Sequence, residues 1–201
     1  MARDKYNKVS DRYDLVELPM ELTVFPRWRK KVQNELLGPL VLEVGIGTGK
    51  NIPYHHPQWN VIAFDISEGM LSKIEPKQRD NINLLQMDTE QLGFPINTFD
   101  SVFDTFVFCS VPKPVDGLQE IYRVLKPGGR FVALEHMRPE SEFAGTLFDF
   151  VDPLTVAVSG AHVNRHTEEN IRKAGFKISE VRYLLTSVVR LIVAEKSGPQ
   201  R

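Results

Sequence analysis

After residue 38 the chain alternates between two hydrophobic patterns. Short runs dominated by Val, Ile, Leu and Phe recur at 40–44, 60–65, 82–87, 101–108 and 130–135, and their length and β-branched content predict strands. Between them, apolar positions repeat every three or four residues, which predicts helices over 49–54, 68–74, 115–125 and 167–174. Strands that are apolar on both faces must be covered on both, so the alternation predicts a doubly wound α/β fold on a mostly parallel sheet. Two longer strands follow at 177–185 and 188–195, joined by a very short turn. A parallel crossover needs a dozen residues or more, so this last pair is predicted to be an antiparallel hairpin. Thr167 is expected to cap the helix before it, and Gly175 to end that helix.

Residues 1–38 precede the first strand and read as a helical extension. Phe25, Trp28, Val32 and Leu36 fall on one helical face, Pro26 suits a first turn, and Arg27, Arg29, Lys30 and Lys31 stand beside that face. Three roles stay open for the extension. Its apolar face can pack on the sheet, it can form a lid carrying Tyr13 and Trp28, or residues 15–37 can lie on a membrane with the cations at the headgroups.

Composition narrows the partners. With 201 residues, 42% of them hydrophobic, the chain can bury one good core, and a net charge of −1 argues against a non-specific nucleic-acid binder. The single cysteine, Cys109, excludes an internal disulfide and a Cys-rich zinc site, and no metal site is predicted. The charged opening MARDKYNKVSDRYD predicts no secretory leader, and no apolar run is long enough to span a bilayer. The expectation is a cytoplasmic protein, with peripheral membrane contact as an option.

The chemistry begins at VLEVGIGTGKN, residues 41–51. Glycines at 45, 47 and 49 let a loop take positive φ and bring bare backbone against a ligand at a strand end. The dinucleotide pattern G-x-G-x-x-G would need glycine at Lys50, and a Walker A loop would need Ser or Thr at Asn51. What is left, acidic-x-Gly-x-Gly-x-Gly, resembles motif I of the class I S-adenosylmethionine-dependent methyltransferases. Asp65, ending VIAFD, is placed to accept from two ribose hydroxyls, the alternative being a helix cap. Ile66 and Met70 would flank the base. Asp88, beside Thr89, can accept from an exocyclic adenine amine or stand as a solvated loop residue.

The stretch from Asp100 through RVLKPGG to Glu135 extends the same resemblance, which covers roughly residues 38–195. It implies a seven-stranded fold of that class for residues 39–201, with S-adenosylmethionine as donor and S-adenosylhomocysteine as product. By the same resemblance Glu43 serves the ammonium of the donor and Phe106 lies near the transferred methyl, while the glycine-loop N–H groups suit its carboxylate. Lys126-Pro127-Gly128-Gly129 reads as a turn. Three strings, FVFCSVPKPVDGLQEIYRVLKPGG, EHMRPES and GAHVNRHTEENIRKAGF, resemble a branch of bacterial phosphatidylethanolamine N-methyltransferases and animal thiol S-methyltransferases. YNKVSDRYD with a later WR resembles quinone C-methyltransferases. The expected acceptor is a small or amphipathic molecule, a phospholipid amine first, with a thiol or sulfide and a quinone ring as alternatives; a non-catalytic binder of the donor is a further class. Candidate catalytic groups are His136 and Tyr13. Candidate acceptor contacts are Cys109, as a small apolar pocket residue, and His162, Arg165 and His166, which can face a phosphate at a helix start.

Overall fold

A computed structural model describes residues 6–7, 18–75, 82–159 and 161–198. Seven strands, β1 (Leu40–Val44), β2 (Asn60–Asp65), β3 (Ile82–Gln86), β4 (Phe99–Thr105), β5 (Leu125–His136), β6 (Lys177–Leu185) and β7 (Val189–Glu195), form one sheet in the order β3-β2-β1-β4-β5-β7-β6. The first five run parallel, and β7 is antiparallel to both its neighbours. The helices are α1 (Phe25–Asn34), α2 (Glu68–Leu71), α3 (Pro114–Val124), α4 (Glu142–Ser159) and α5 (Thr167–Lys173). This is the α/β methyltransferase architecture, and the hairpin closes it as the short turn requires.

Period-two alternation sorts side chains into two cores. Leu42, Val102 and Phe131 point to one face, where Leu118 and Ile121 of α3 and Ile171 of α5 cover them. Val41, Phe103 and Val132 point to the other, under Phe25, Trp28, Val32 and Leu36. The apolar stripe of α1 is therefore core. Phe25 and Trp28 are buried, as is Arg29, so of the open roles for that stripe the structure has packing on the sheet and not insertion into a membrane. Tyr13 lies outside the described residues.

Several boundaries differ from the sequence expectation for physical reasons. Strand β4 stops at Thr105 and not at 108, because Phe106 takes φ +60 and turns the chain. The predicted helix at 49–54 is only a 3-10 turn, Ile52–Tyr54, and α2 is a single turn. Strand β5 begins at Leu125, pairs there with Phe99, and loops out before Arg130 pairs with Ser101; Gly128 at φ +76 makes that loop. His166, with no side-chain cap bond, precedes α5, while Thr167 is its buried first residue and Gly175 ends it at φ +102. Helix α4 was not expected: Gly145 and Pro153 interrupt a pattern rich in Phe and Val. Among the described residues no helix is long and apolar enough to cross a membrane.

Candidate active site

Between β1 and β4 the strand order reverses direction, and the carboxyl ends there open a crevice. The glycine loop forms one side of it. Gly45, Gly47 and Gly49 all have positive φ, at +63, +57 and +83, but for different reasons. A Cβ on Gly45 would lie 2.5 Å from Val107, and one on Gly49 would lie 2.7 Å from Ile52. These two glycines let neighbouring segments pack against the loop. A Cβ on Gly47 would meet no protein atom within 4 Å, and Gly47 lines the cleft. The loop is closest-packed at its ends and bare at its centre. The cleft holds about 690 Å³ outside protein atoms, its open mouth included, a size suited to a nucleoside-sized ligand.

Asp65 is the organising side chain. One carboxylate oxygen accepts from the Gly47 N–H at 2.9 Å and the other from the Ser67 N–H at 2.8 Å. Burial raises its pKa above the ordinary carboxylate value, and those N–H bonds partly offset the rise. Each oxygen keeps a lone pair for a ligand hydroxyl. Ile66, Met70, Asp88 and Thr89 share the lining with Asp65 and Gly45. Asp88 accepts from the Glu90 N–H at 2.9 Å. Phe106, Val107 and Ser110 form the opposing wall. The N-terminal end of the chain also meets the cleft. The Tyr6 hydroxyl lies 2.5 Å from Ser110 Oγ, and the Asn7 side-chain oxygen accepts from the Ser67 hydroxyl and the Gly69 N–H. Burial keeps the Tyr6 phenol protonated.

Two of the expected donor contacts are not in the lining. Gly49 turns away, and Glu43 is fully buried beneath the loop. Glu43 Oε1 accepts from Asn51 Nδ2 at 2.7 Å, and Oε2 lies 2.9 Å from the His55 ring. Arg29 completes this network, donating to Asn51 at 2.9 Å and to Thr105 at 3.2 Å and pairing with Glu21 at 2.5 Å. Only Thr105 carries the network to the cleft wall. Three N–H groups of the loop bond within the protein: Ile46 donates to Phe64, Gly47 to Asp65 and Gly49 to Ile46.

The wall at the end of β4 rests on a buried carboxyl pair. Glu135 Oε1 accepts from the N–H groups of Val107 at 2.6 Å and Phe108 at 2.8 Å, fixing the turn that begins at the left-handed Phe106. Asp104 beside it is equally buried. Burial and the neighbouring Glu135 hold the Asp104 carboxyl well above its usual range. Sequence reasoning placed Glu135 at the end of the fifth strand but passed over Asp104 and the Arg29 network; the lone acid in SVFDTF was the available signal for Asp104.

The acceptor candidates are dispersed. His136 stacks behind Phe106, with ring centroids 4.4 Å apart, and burial pushes its pKa down to about 4, so it is neutral and screened from the cleft. Cys109 is buried outside the lining, its thiol held protonated by burial. His162 bonds Asp152 at 2.8 Å, and Arg165 donates to the Val111 carbonyl at 2.9 Å. Arg165 and His166 border a separate cleft with Glu140, Glu168 and Glu169. Arg138, Arg172 and Arg190 line it as well, so Arg165 and His166 stand among mixed charges away from the glycine-loop cleft, and His162 is not in either lining.

Residues 42–133 match a family model described as a methyltransferase domain. The chain is 30% identical to a demethylmenaquinone methyltransferase of Symbiobacterium thermophilum, over 97% of this chain and 92% of that one. It is 32% identical to a ubiquinone/menaquinone biosynthesis C-methyltransferase, UbiE, of Pseudoalteromonas translucida, over 75% of this chain and 64% of the relative. In fold it is similar to a solved S-adenosylmethionine-dependent methyltransferase of Thermotoga maritima, with a TM-score of 0.74 at 20% identity, covering 96% of this chain and 99% of that one.

Proposed function

Because the chain belongs to the class I S-adenosylmethionine-dependent methyltransferases, we propose that it transfers the methyl to a ring carbon of a reduced, quinone-type acceptor. The observation that carries the proposal is the near full-length similarity to a relative named for demethylmenaquinone. It favours the quinone alternative over the phospholipid amine expected first. His162, Arg165 and His166 stand outside the glycine-loop cleft, so they add no phosphate contact beside the donor in this reading.

In this reading Asp65 accepts the ribose hydroxyls, Ile66 and Met70 flank the base, and Asp88 and Thr89 stand at its edge. The open space above Gly47 is the test of fit, since any side chain there would fill the volume the donor needs. Bound there, S-adenosylmethionine supplies a methyl group on a sulfonium, an electrophile with a good leaving group. The protein then has to align the acceptor and exclude water. Phe106 and Val107 provide an apolar wall, held by Glu135. The protonated Tyr6 and Ser110 are the polar pair that can hold an acceptor hydroxyl. Glu43 acts on the donor only through Asn51 and Thr105.

Methyl-labelled donor is offered with three acceptors in turn: a reduced alkyl quinone, phosphatidylethanolamine vesicles and an alkyl thiol. Label on the ring carbon of the quinol is expected. Label confined to the amine or the thiol overturns the acceptor, and binding of donor without any transfer makes the chain a binder.

A further inference from the structure

Helix α4 is attached to the body by its polar side. Asp149 accepts from Arg138 and from Asn164 at 3.1 Å, and Asp152 accepts from the His162 ring and the Val163 N–H at 2.8 Å each. Gly145 is buried against the Arg138 guanidinium, where an added Cβ would sit 2.4 Å away. The outward positions are apolar. Phe143, Leu147, Phe150 and Leu154 are 86, 54, 83 and 67% exposed. They are spaced four, three and four residues apart and so form one stripe. A helix packed on a domain in water turns such a stripe inward. Here the arrangement is reversed, and a patch of this kind marks a surface that something covers.

The stripe stands on the edge of the molecule at which the cleft opens. Helix α4 follows the carboxyl end of β5, which pairs with β4, itself the neighbour of β1. His136 pairs with Val189, so the β6–β7 turn shares that edge, and Leu185 there is 49% exposed. Tyr183 on the same hairpin donates to Glu140, just ahead of α4. The far part of α4 reaches the cleft through His162, whose backbone N–H donates to Cys109 beside Ser110. Leu22, 74% exposed, precedes Phe25, whose ring lies 5.1 Å from that of Phe106.

We propose that this edge docks on a phospholipid bilayer, with α4 in the interface and its stripe immersed among the acyl chains. Area argues against a second copy as the occupant. The four stripe side chains offer roughly 500 Å², short of the about 800 Å² per partner of a stable pair. Charge agrees with a lipid surface: Arg27, Lys30 and Lys31 of α1 are exposed, while Glu142 and Asp149 of α4 pair with Arg138. Docking there would set the cleft mouth against the phase in which apolar acceptors dissolve. The inference does not depend on the acceptor reading, because it is tested without an acceptor.

The full chain is floated with vesicles of phosphatidylcholine, and of phosphatidylcholine and phosphatidylglycerol in equal parts. The protein is expected to float with both, more with the second, and Phe143→Ser/Phe150→Ser is expected to bind at least about tenfold more weakly. Calorimetry with S-adenosylmethionine should give the same affinity for both proteins, which shows that the variant is folded. Failure of the unaltered chain to float, or equal flotation of the variant, overturns the proposal. So does a dimer in sedimentation analysis that the variant splits, since the stripe would then belong to a second copy.

Discussion

Two glycines of the loop give two different experiments. Gly47→Ala meets no protein atom, so its cost to folding is the positive φ alone, on the order of 1–2 kcal/mol. Its Cβ enters the cleft, so donor affinity should fall while a folded transition remains. Gly45→Ala drives a Cβ into Val107 and should lower the melting temperature more than Gly47→Ala does. Melting curves with calorimetry separate the two, and equal losses in both would remove the distinction. Asp65→Ala deletes a charged acceptor and should weaken donor binding by about 2 kcal/mol. Unchanged affinity would take the ribose from Asp65. These positions were legible in the sequence because their roles are local: a glycine loop and an acid at the end of a strand. Glu43 was not. Its partners Arg29, Asn51 and His55 arrive from other segments, and only their convergence shows that it serves the loop and not the cleft wall.

His136 has a pH signature of its own. Burial lowers its pKa from 6.5 to about 4 in the folded protein. Between those values the unfolded chain binds a proton that the folded one does not, so stability falls as pH drops from about 6.5 to about 4 and levels off below. The loss reaches up to about 3 kcal/mol. Asp65, Asp104 and Glu135, held above their ordinary values by burial, give slopes of the opposite sign, lost as pH rises. Denaturant titrations of His136→Phe, which keeps a ring on Phe106, isolate the histidine. The variant should lack the acid-side loss, and an unchanged profile would place the histidine in water.

Among elements, α1 shows how a correct period can leave the role undecided. Its stripe at Phe25, Trp28, Val32 and Leu36 was plain, but periodicity does not say what the stripe faces; the sheet answers that. Arg29, grouped in sequence with exposed cations, instead ties α1 to the glycine loop through Asn51 and to β4 through Thr105. Arg29→Ala leaves Glu21 without its partner and opens this network, which should cost about 3 kcal/mol. A lower midpoint of denaturation with an unchanged slope is the expected reading. A midpoint that does not move would make the network incidental. The end of β4 is the complementary case. A run as apolar as FVFCSV reads as more strand, yet Phe106 turns at φ +60 because Glu135, from the next strand, captures the following N–H groups. Helix α4 escaped detection because Gly145 and Pro153 interrupt its period, and Pro153 in particular reads as a helix end.

At the scale of the whole molecule the alternation of strand and helix, the antiparallel ending and the methyl donor were all readable, since each rests on a rule of chain geometry or a motif at a strand end. The acceptor was not readable in the same way. The fold hosts many reactions, and the proposed acceptor wall joins Phe106, Val107 and Ser110, one short stretch after β4, to Tyr6, which lies 104 residues from Ser110. The most direct test is to incubate the full chain with methyl-labelled S-adenosylmethionine and a reduced alkyl quinone, then locate the label by mass spectrometry and nuclear magnetic resonance. One labelled methyl on a ring carbon, lost with Asp65→Ala at limiting donor, is the predicted result. Label on a lipid amine or a thiol in parallel reactions, with none on the quinol ring, would contradict it.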